Sequence, residues 1–177
     1  MNYSKVTLTQ VEPSDFPTAK HIINGLIPYL PTPMEFSQPS INSSYKKKLD
    51  DPNAYYFAIR GLKDGFKFIT LGFCAIQNID WISRHGEVFF VMVGSKCTIP
   101  NTDNARDVLT QLLQFSFEEI NMNKVYINVV DGNEIREILG DFGFVGEGNL
   151  REAVFKKGQF LDVTVYSLLA QEFRERE

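Results

Sequence analysis

The side chains able to do chemistry are few and scattered along the chain. Cys74 and Cys97 are far apart, each in an apolar neighbourhood, and neither belongs to a CxxC pair. The two histidines, His21 and His85, have no metal-ligand spacing, so no metal is expected. Cys97 has no base beside it in sequence, which argues against a cysteine nucleophile. Glu147 stands between Gly146 and Gly148, and two neighbours without a Cβ leave its carboxylate sterically open.

Charge bounds the partners. The net charge is -4 and the isoelectric point about 5.3. The densest basic cluster is Tyr45-Lys46-Lys47-Lys48, which reads as a solvated helix face rather than the basic stripe a nucleic-acid groove needs. The start MNYSKVTLTQ lacks the apolar core of a secretory signal. No apolar run approaches the roughly 20 residues of a membrane span. The expectation is a reduced, cytoplasmic protein without metal, membrane or nucleic-acid partner.

The elements that must carry these residues follow from periodicity. With 177 residues, 44% of them hydrophobic, the chain reads as one domain over 1–177 that needs no disulfide or metal staple. Val6 to Val11 alternates as a half-buried strand, and Pro13 to Asp15 caps a helix over Phe16 to Leu26. Four prolines from Pro28 to Pro39 impose an irregular loop, and Ser40 to Leu49 reads as a short helix. Ala54 to Arg60, Phe68 to Asp80 and Glu87 to Val93 are three strands of an antiparallel meander. The third is apolar almost throughout, so both its faces should be buried. Their connections are a Gly-Leu-Lys-Asp-Gly turn and a turn from Trp81 to Gly86. Capping residues from Asn101 to Asn104 precede Val108, Leu109, Leu112, Leu113, Phe115 and Phe117 at helical spacing. Val125 to Val130 is an alternating strand, Asn133 to Phe142 a short helix, and Phe144 to Phe155 and Gln159 to Leu169 the last two strands. The order predicts an α/β mixed sheet with helices on both faces.

Several of these segments are similar to one known family. Gly72-Phe73, Asn78-Ile79-Asp80, Phe115 to Ile120, Asn133, Gly143-Phe144, Glu147 to Arg151 and Gly158 to Asp162 follow in the right order, and Val163 to Leu169 completes them. From about Gly72 onward the chain resembles the GNAT superfamily of N-acetyltransferases, in the branch that acetylates ribosomal-protein N-termini and similar amines. The resemblance implies about seven strands in a splayed sheet, flanked by about four helices. It also implies an acetyl group transferred from acetyl-CoA to a primary amine of a small molecule or a peptide N-terminus, by direct attack on the thioester.

It further implies roles for residues. The strand bearing Val91, Met92 and Val93 would hold the pantetheine arm and support the developing oxyanion. The start of the next helix, at Asn104, Ala105 and Arg106, would receive the pyrophosphate. Asn133 matches a family asparagine that caps the short helix and faces the cofactor. Glu147 matches a functional glutamate and is the expected base. Trp81, Glu35 and Tyr166 are expected at the acceptor pocket, with Tyr126 or Tyr166 available as a proton donor. Fifteen phenylalanines and exposed strand edges are compatible with a homodimer.

The chain also departs from the family. The family's glycine-rich phosphate loop is replaced by Pro100-Asn101-Thr102-Asp103-Asn104-Ala105-Arg106, in which side chains limit close backbone approach. Asp103 adds a negative charge there, which Arg106 or Lys96 could offset. Leu139 and Arg136 occupy positions where family members carry a tyrosine or a serine. These departures leave two alternatives open: a catalytically degenerate GNAT-fold binding or regulatory module, and an acyltransferase whose donor is a carrier-protein thioester.

Overall fold

The computed structural model describes residues 6–26, 47, 49–63, 67–92, 103–131, 135–156 and 158–176. Its strands are β1 (Val6–Gln10), β2 (Tyr55–Lys63), β3 (Lys67–Asp80), β4 (His85–Met92), β5 (Lys124–Val130), β6 (Val145–Lys156) and β7 (Gln159–Leu169). Its helices are α1 (Phe16–Leu26), α2 (Asp103–Gln114), α3 (Arg136–Asp141) and α4 (Ala170–Arg174). The strands form one sheet in the order β1-β2-β3-β4-β5-β7-β6. All pairings are antiparallel except β4 with β5, which is parallel.

Side-chain alternation sends successive residues of each strand to opposite faces, and each face meets helices. On one face Ala58, Phe73 and Val91 pack with Phe16, Ala19 and Ile22 of α1 and its approach. On the other, Ile59, Cys74, Ile76, Val88, Val125 and Val129 pack with α2, α3 and α4. Val108, Leu109, Leu112 and Leu113 of α2 are fully buried. At about 1.5–3 kcal/mol for each such side chain, this stripe fixes α2 to the sheet.

An ion pair fastens the approach to α1. Asp15 is 3% exposed and accepts both Arg60 guanidinium nitrogens, at 2.7 and 2.9 Å. It also accepts the backbone N–H of Glu12 at 3.0 Å. Arg60 continues to Thr9 Oγ1 at 3.2 Å and to Thr70 Oγ1, so one guanidinium ties α1 to three strands.

Three local readings change. β2 runs on to Lys63, paired with Lys67, so the expected turn at Gly61 is strand and the connection is shorter. His85 and Gly86 belong to β4 rather than to the preceding turn. The stretch after Leu169 folds as α4, where Glu172 accepts the Leu169 N–H at 2.9 Å and ends the strand by capping the helix. The proline-rich stretch and most of the expected helix over Ser40 to Leu49 lie outside the described residues.

Candidate functional site

β4 and β5 diverge. They pair only through His85↔Lys124, Gly86↔Val125 and Glu87↔Tyr126, although β4 continues to Met92 and β5 to Val130. Among the described residues the β4 backbone beyond Glu87 therefore has no ladder partner on its β5 side, and the sheet opens as a V. From Glu87 to Met92 the open arm is about 16 Å long at strand rise. Gly72 lets β3 approach this arm: a Cβ there would stand 1.9 Å from the Val91 carbonyl oxygen.

The apex of the V holds a polar cluster on the face covered by α1. Glu87, half-buried, accepts Asn128 Nδ2 from β5 at 2.9 Å on Oε1. Its Oε2 accepts Asn78 Nδ2 at 2.7 Å and Gln77 Nε2 at 3.3 Å. Two adjacent β3 residues reach one oxygen because the β3–β4 register shifts between Gln77 and Asp80, with Asn78 at φ 53°. Such a bulge re-aims a side chain that a regular strand would send to the opposite face. Tyr56 donates its hydroxyl to Gln77 Oε1 at 3.4 Å, and Tyr126 is the register partner of Glu87. Burial first, then the charges of Asp51 and Glu87 for Tyr56 and of Glu87 for Tyr126, pushes the two hydroxyls above the ordinary phenol range. Both therefore keep their protons at neutral pH and serve as donors.

Glu147 lies on the same face, farther toward β6. It is the extra residue of a β6 bulge, between Gly146↔Tyr166 and Gly148↔Val165. Its Oε1 accepts Lys124 Nζ at 2.6 Å and Ser167 Oγ at 2.7 Å. The Lys124 and Ser167 hydrogen bonds hold its carboxyl below the usual carboxylate range. Lys124, Tyr126 and Asn128 alternate along this face of β5, with Glu147 bonded to Lys124 at one end of the row, Glu87 bonded to Asn128 at the other, and Tyr126 between these two anchors.

The other expected site residues divide. Val91 and Met92 lie on the open arm of β4, with their side chains buried in opposite cores. Asn104, Ala105 and Arg106 fall in the first turn of α2, where Ala105 is fully buried. Arg106, expected beside the phosphates, pairs instead with Asp141 of α3 at 2.5 Å. Asp103 is exposed at the helix N-terminus. Trp81 is placed away from the Glu87 cluster: it stacks edgewise on Tyr55, which stacks on Phe115. Those two rings belong to the α2 face of the sheet. Tyr166 packs against the α2-side core and is likewise not brought to the cluster. Val93, Lys96, Cys97, the loop before Asp103, Asn133 and Glu35 lie outside the described residues. Among the described residues no group of three His, Cys, Asp or Glu could hold a metal, and no helix is long and apolar enough to cross a membrane.

Glu87, Asn78 and Asn128 are the site residues that sequence reasoning missed. The sequence marks Asn78 only through the family resemblance, and Glu87 only as the first residue of an apolar run. The signal that could have found them is a lone carboxylate at the head of a strand otherwise built from apolar residues.

No family model matches the chain. In sequence it is 25% identical to the putative ribosomal N-acetyltransferase YdaF of Bacillus subtilis, over 95% of this chain and 93% of that protein. It is 24% identical to the spermidine N(1)-acetyltransferase of Vibrio cholerae, over 75% and 73% of the two chains. In structure it superposes on the Vibrio cholerae spermidine N-acetyltransferase crystallised with CoA and spermine, with a TM-score of 0.86 and 22% identity. That match covers 97% of this chain and 99% of that one. A dodecameric form of the same Vibrio enzyme gives a TM-score of 0.80 at 22% identity, over 98% and 99% of the chains. The splayed seven-stranded sheet and the full-length relatives agree: the chain is a homologue of the GNAT-type N-acetyltransferases, with their fold.

Proposed function

We propose that the chain transfers an acetyl group from acetyl-CoA to a primary amine, at the apex of the V between β4 and β5. The observation that carries this reading is the cluster around Glu87. It is a half-buried carboxylate held by three neutral amides, at the point where a parallel strand pair opens.

The donor supplies a thioester carbonyl. The unpaired edge of β4 from Val88 to Met92 offers backbone groups to an extended, amide-bearing arm along the V. Asn104 and Ala105 at the start of α2 place backbone N–H groups toward an anion, while Asp103 opposes it. Arg106 would have to leave Asp141 to help. At the apex Glu87 attracts the ammonium form of the acceptor and takes its proton, directly or through water. Tyr126, protonated and beside Glu87, is available to hydrogen-bond the leaving sulfur. Glu147, expected from the sequence to be the base, has a weaker claim here, because Lys124 already neutralises it and its proton affinity is lowered.

The acceptor is a small-molecule amine or a peptide N-terminus. The relatives named above cover both kinds, one by its ribosomal description and one by spermidine. Self-association also fits. Val145, Leu150, Phe155 and Phe160 on the β6–β7 hairpin are more than half exposed, and Phe155 and Phe160 pair across it with ring centroids 4.9 Å apart. Such a surface favours a second copy, and light scattering of the purified chain would detect the dimer or larger assembly.

The test of function is thiol release from acetyl-CoA by the purified chain, followed over a panel of polyamines, monoamines and short peptides. Amine-dependent release with a matching acetylated product supports the reading. Release from an acyl-carrier protein but not from acetyl-CoA would favour the carrier-protein donor. Neither release nor acetyl-CoA binding in a calorimetric titration would favour the non-catalytic module.

A further inference from the structure

The Glu87 carboxylate is held in an uncommon way. All three of its side-chain partners are neutral amides, from Gln77, Asn78 and Asn128. Among the described residues it forms no ion pair, whereas Asp15, Asp141, Asp131 and Glu147 each do. Two of the amides reach it only through special geometry. Asn78 does so from a left-handed backbone, φ 53°, which asparagine adopts more readily than most non-glycine residues. Asn128 does so across the V, from two residues beyond the last β4–β5 pair at Glu87↔Tyr126.

Resting on the acetyl-transfer reading above, we infer that Asn78 and Asn128 are positioning residues that fix the Glu87 carboxylate at the apex of the V without neutralising it. Amide hydrogens set the direction of both oxygens, yet bring no positive charge. The carboxylate is thereby left for one counter-ion, the ammonium of the acceptor. Asn128 also closes the floor of the V, so an arm lying along β4 ends against this bond and presents its reacting carbonyl there. Gln77 contributes the longest of the three bonds and is itself engaged by Tyr56.

Two substitutions separate the amides from the fold. Asn78→Gly removes the amide but keeps a backbone at which glycine is at ease, and Asn128→Ala removes the amide that crosses the V. Each variant should unfold at nearly the wild-type temperature and keep its KM for acetyl-CoA. Each should lose kcat on the order of 10-fold, a loss in kcat at unchanged KM that marks a positioning role rather than a structural one. Folded variants with the wild-type kcat would overturn the inference. Glu87→Gln keeps the two levels apart. Loss of activity there beside unchanged asparagine variants would defeat the positioning role alone, while full activity of Glu87→Gln would defeat the reading of Glu87 on which it rests.

Discussion

Glu87 and Glu147 stand on the same face of one sheet, with Tyr126 between them, and differ in what surrounds them. Glu147 sits in a bulge, 42% of its side chain exposed, with Lys124 Nζ at 2.6 Å. Glu87 sits at the apex of the V, half-buried, with amides and, among the described residues, no cation. A carboxylate with its own lysine is already satisfied; one held only by amides still attracts a positive charge. Asp15 extends the contrast. It is the most buried of the three and carries a two-pronged Arg60 pair, so it serves the fold. On the proposed function, the contrast distinguishes the two ion-paired carboxylates from the one proposed to meet the substrate amine.

The largest effect that would sharpen this contrast is on stability. Asp15→Ala leaves Arg60 without its carboxylate in a largely closed site, and removal of one partner from such a pair costs about 3–5 kcal/mol. Denaturant unfolding should show that loss, and a change under 1 kcal/mol would mean that Asp15 is not structural. Glu147→Gln, an exposed pair, should shift stability by under about 1 kcal/mol in the same experiment.

Gly72→Ala addresses the V itself. Its Cβ would meet the Val91 carbonyl oxygen, a backbone atom, at 1.9 Å, so the open arm of β4 must move. The expected result is a loss of about 1–3 kcal/mol from overpacking and at least a tenfold rise in KM for acetyl-CoA. An unchanged KM would mean that the arm does not hold the donor.

The smallest effect concerns titration. The Lys124 hydrogen bond, followed by that of Ser167, lowers the Glu147 pKa. A lowered folded pKa means that this interaction helps at pH values above the unfolded pKa and is lost as pH falls through the folded one. Lys124→Ala should therefore raise the Glu147 pKa toward the ordinary glutamate value, read by NMR of the carboxyl carbon. An unmoved pKa would show that the pair does not form in solution.

Much of the fold was legible in the sequence because the signals are local. α1 over Phe16–Leu26 and β7 over Gln159–Leu169 match their expected spans, one capped at Asp15 and the other set by alternation. The π-helical turn Phe115–Glu119 was not legible: its residues continue a helical pattern, and Phe115 is claimed by Tyr55 and Phe57 from a distant strand. The same limit hid the site. Local spacing marked Glu147, since the flanking glycines are adjacent in sequence. Glu87 acquires its setting from a bulge at Asn78 and an amide 41 residues away at Asn128, neither visible in the run Glu87 to Val93. Alternation also explains Trp81, which stacks on Tyr55 and so joins the face opposite Tyr56 and Glu87.

The most direct test of the contrast is kcat/KM for amine acetylation by Glu87→Gln and Glu147→Gln, measured beside the wild type across pH. The account predicts a loss of about 10²–10³ for Glu87→Gln, as for removal of a general base. For Glu147→Gln it predicts a loss under about tenfold, with the acid limb kept. The reverse order, with Glu147→Gln the more damaging, would return the proton-accepting role to the lysine-paired carboxylate and contradict the account.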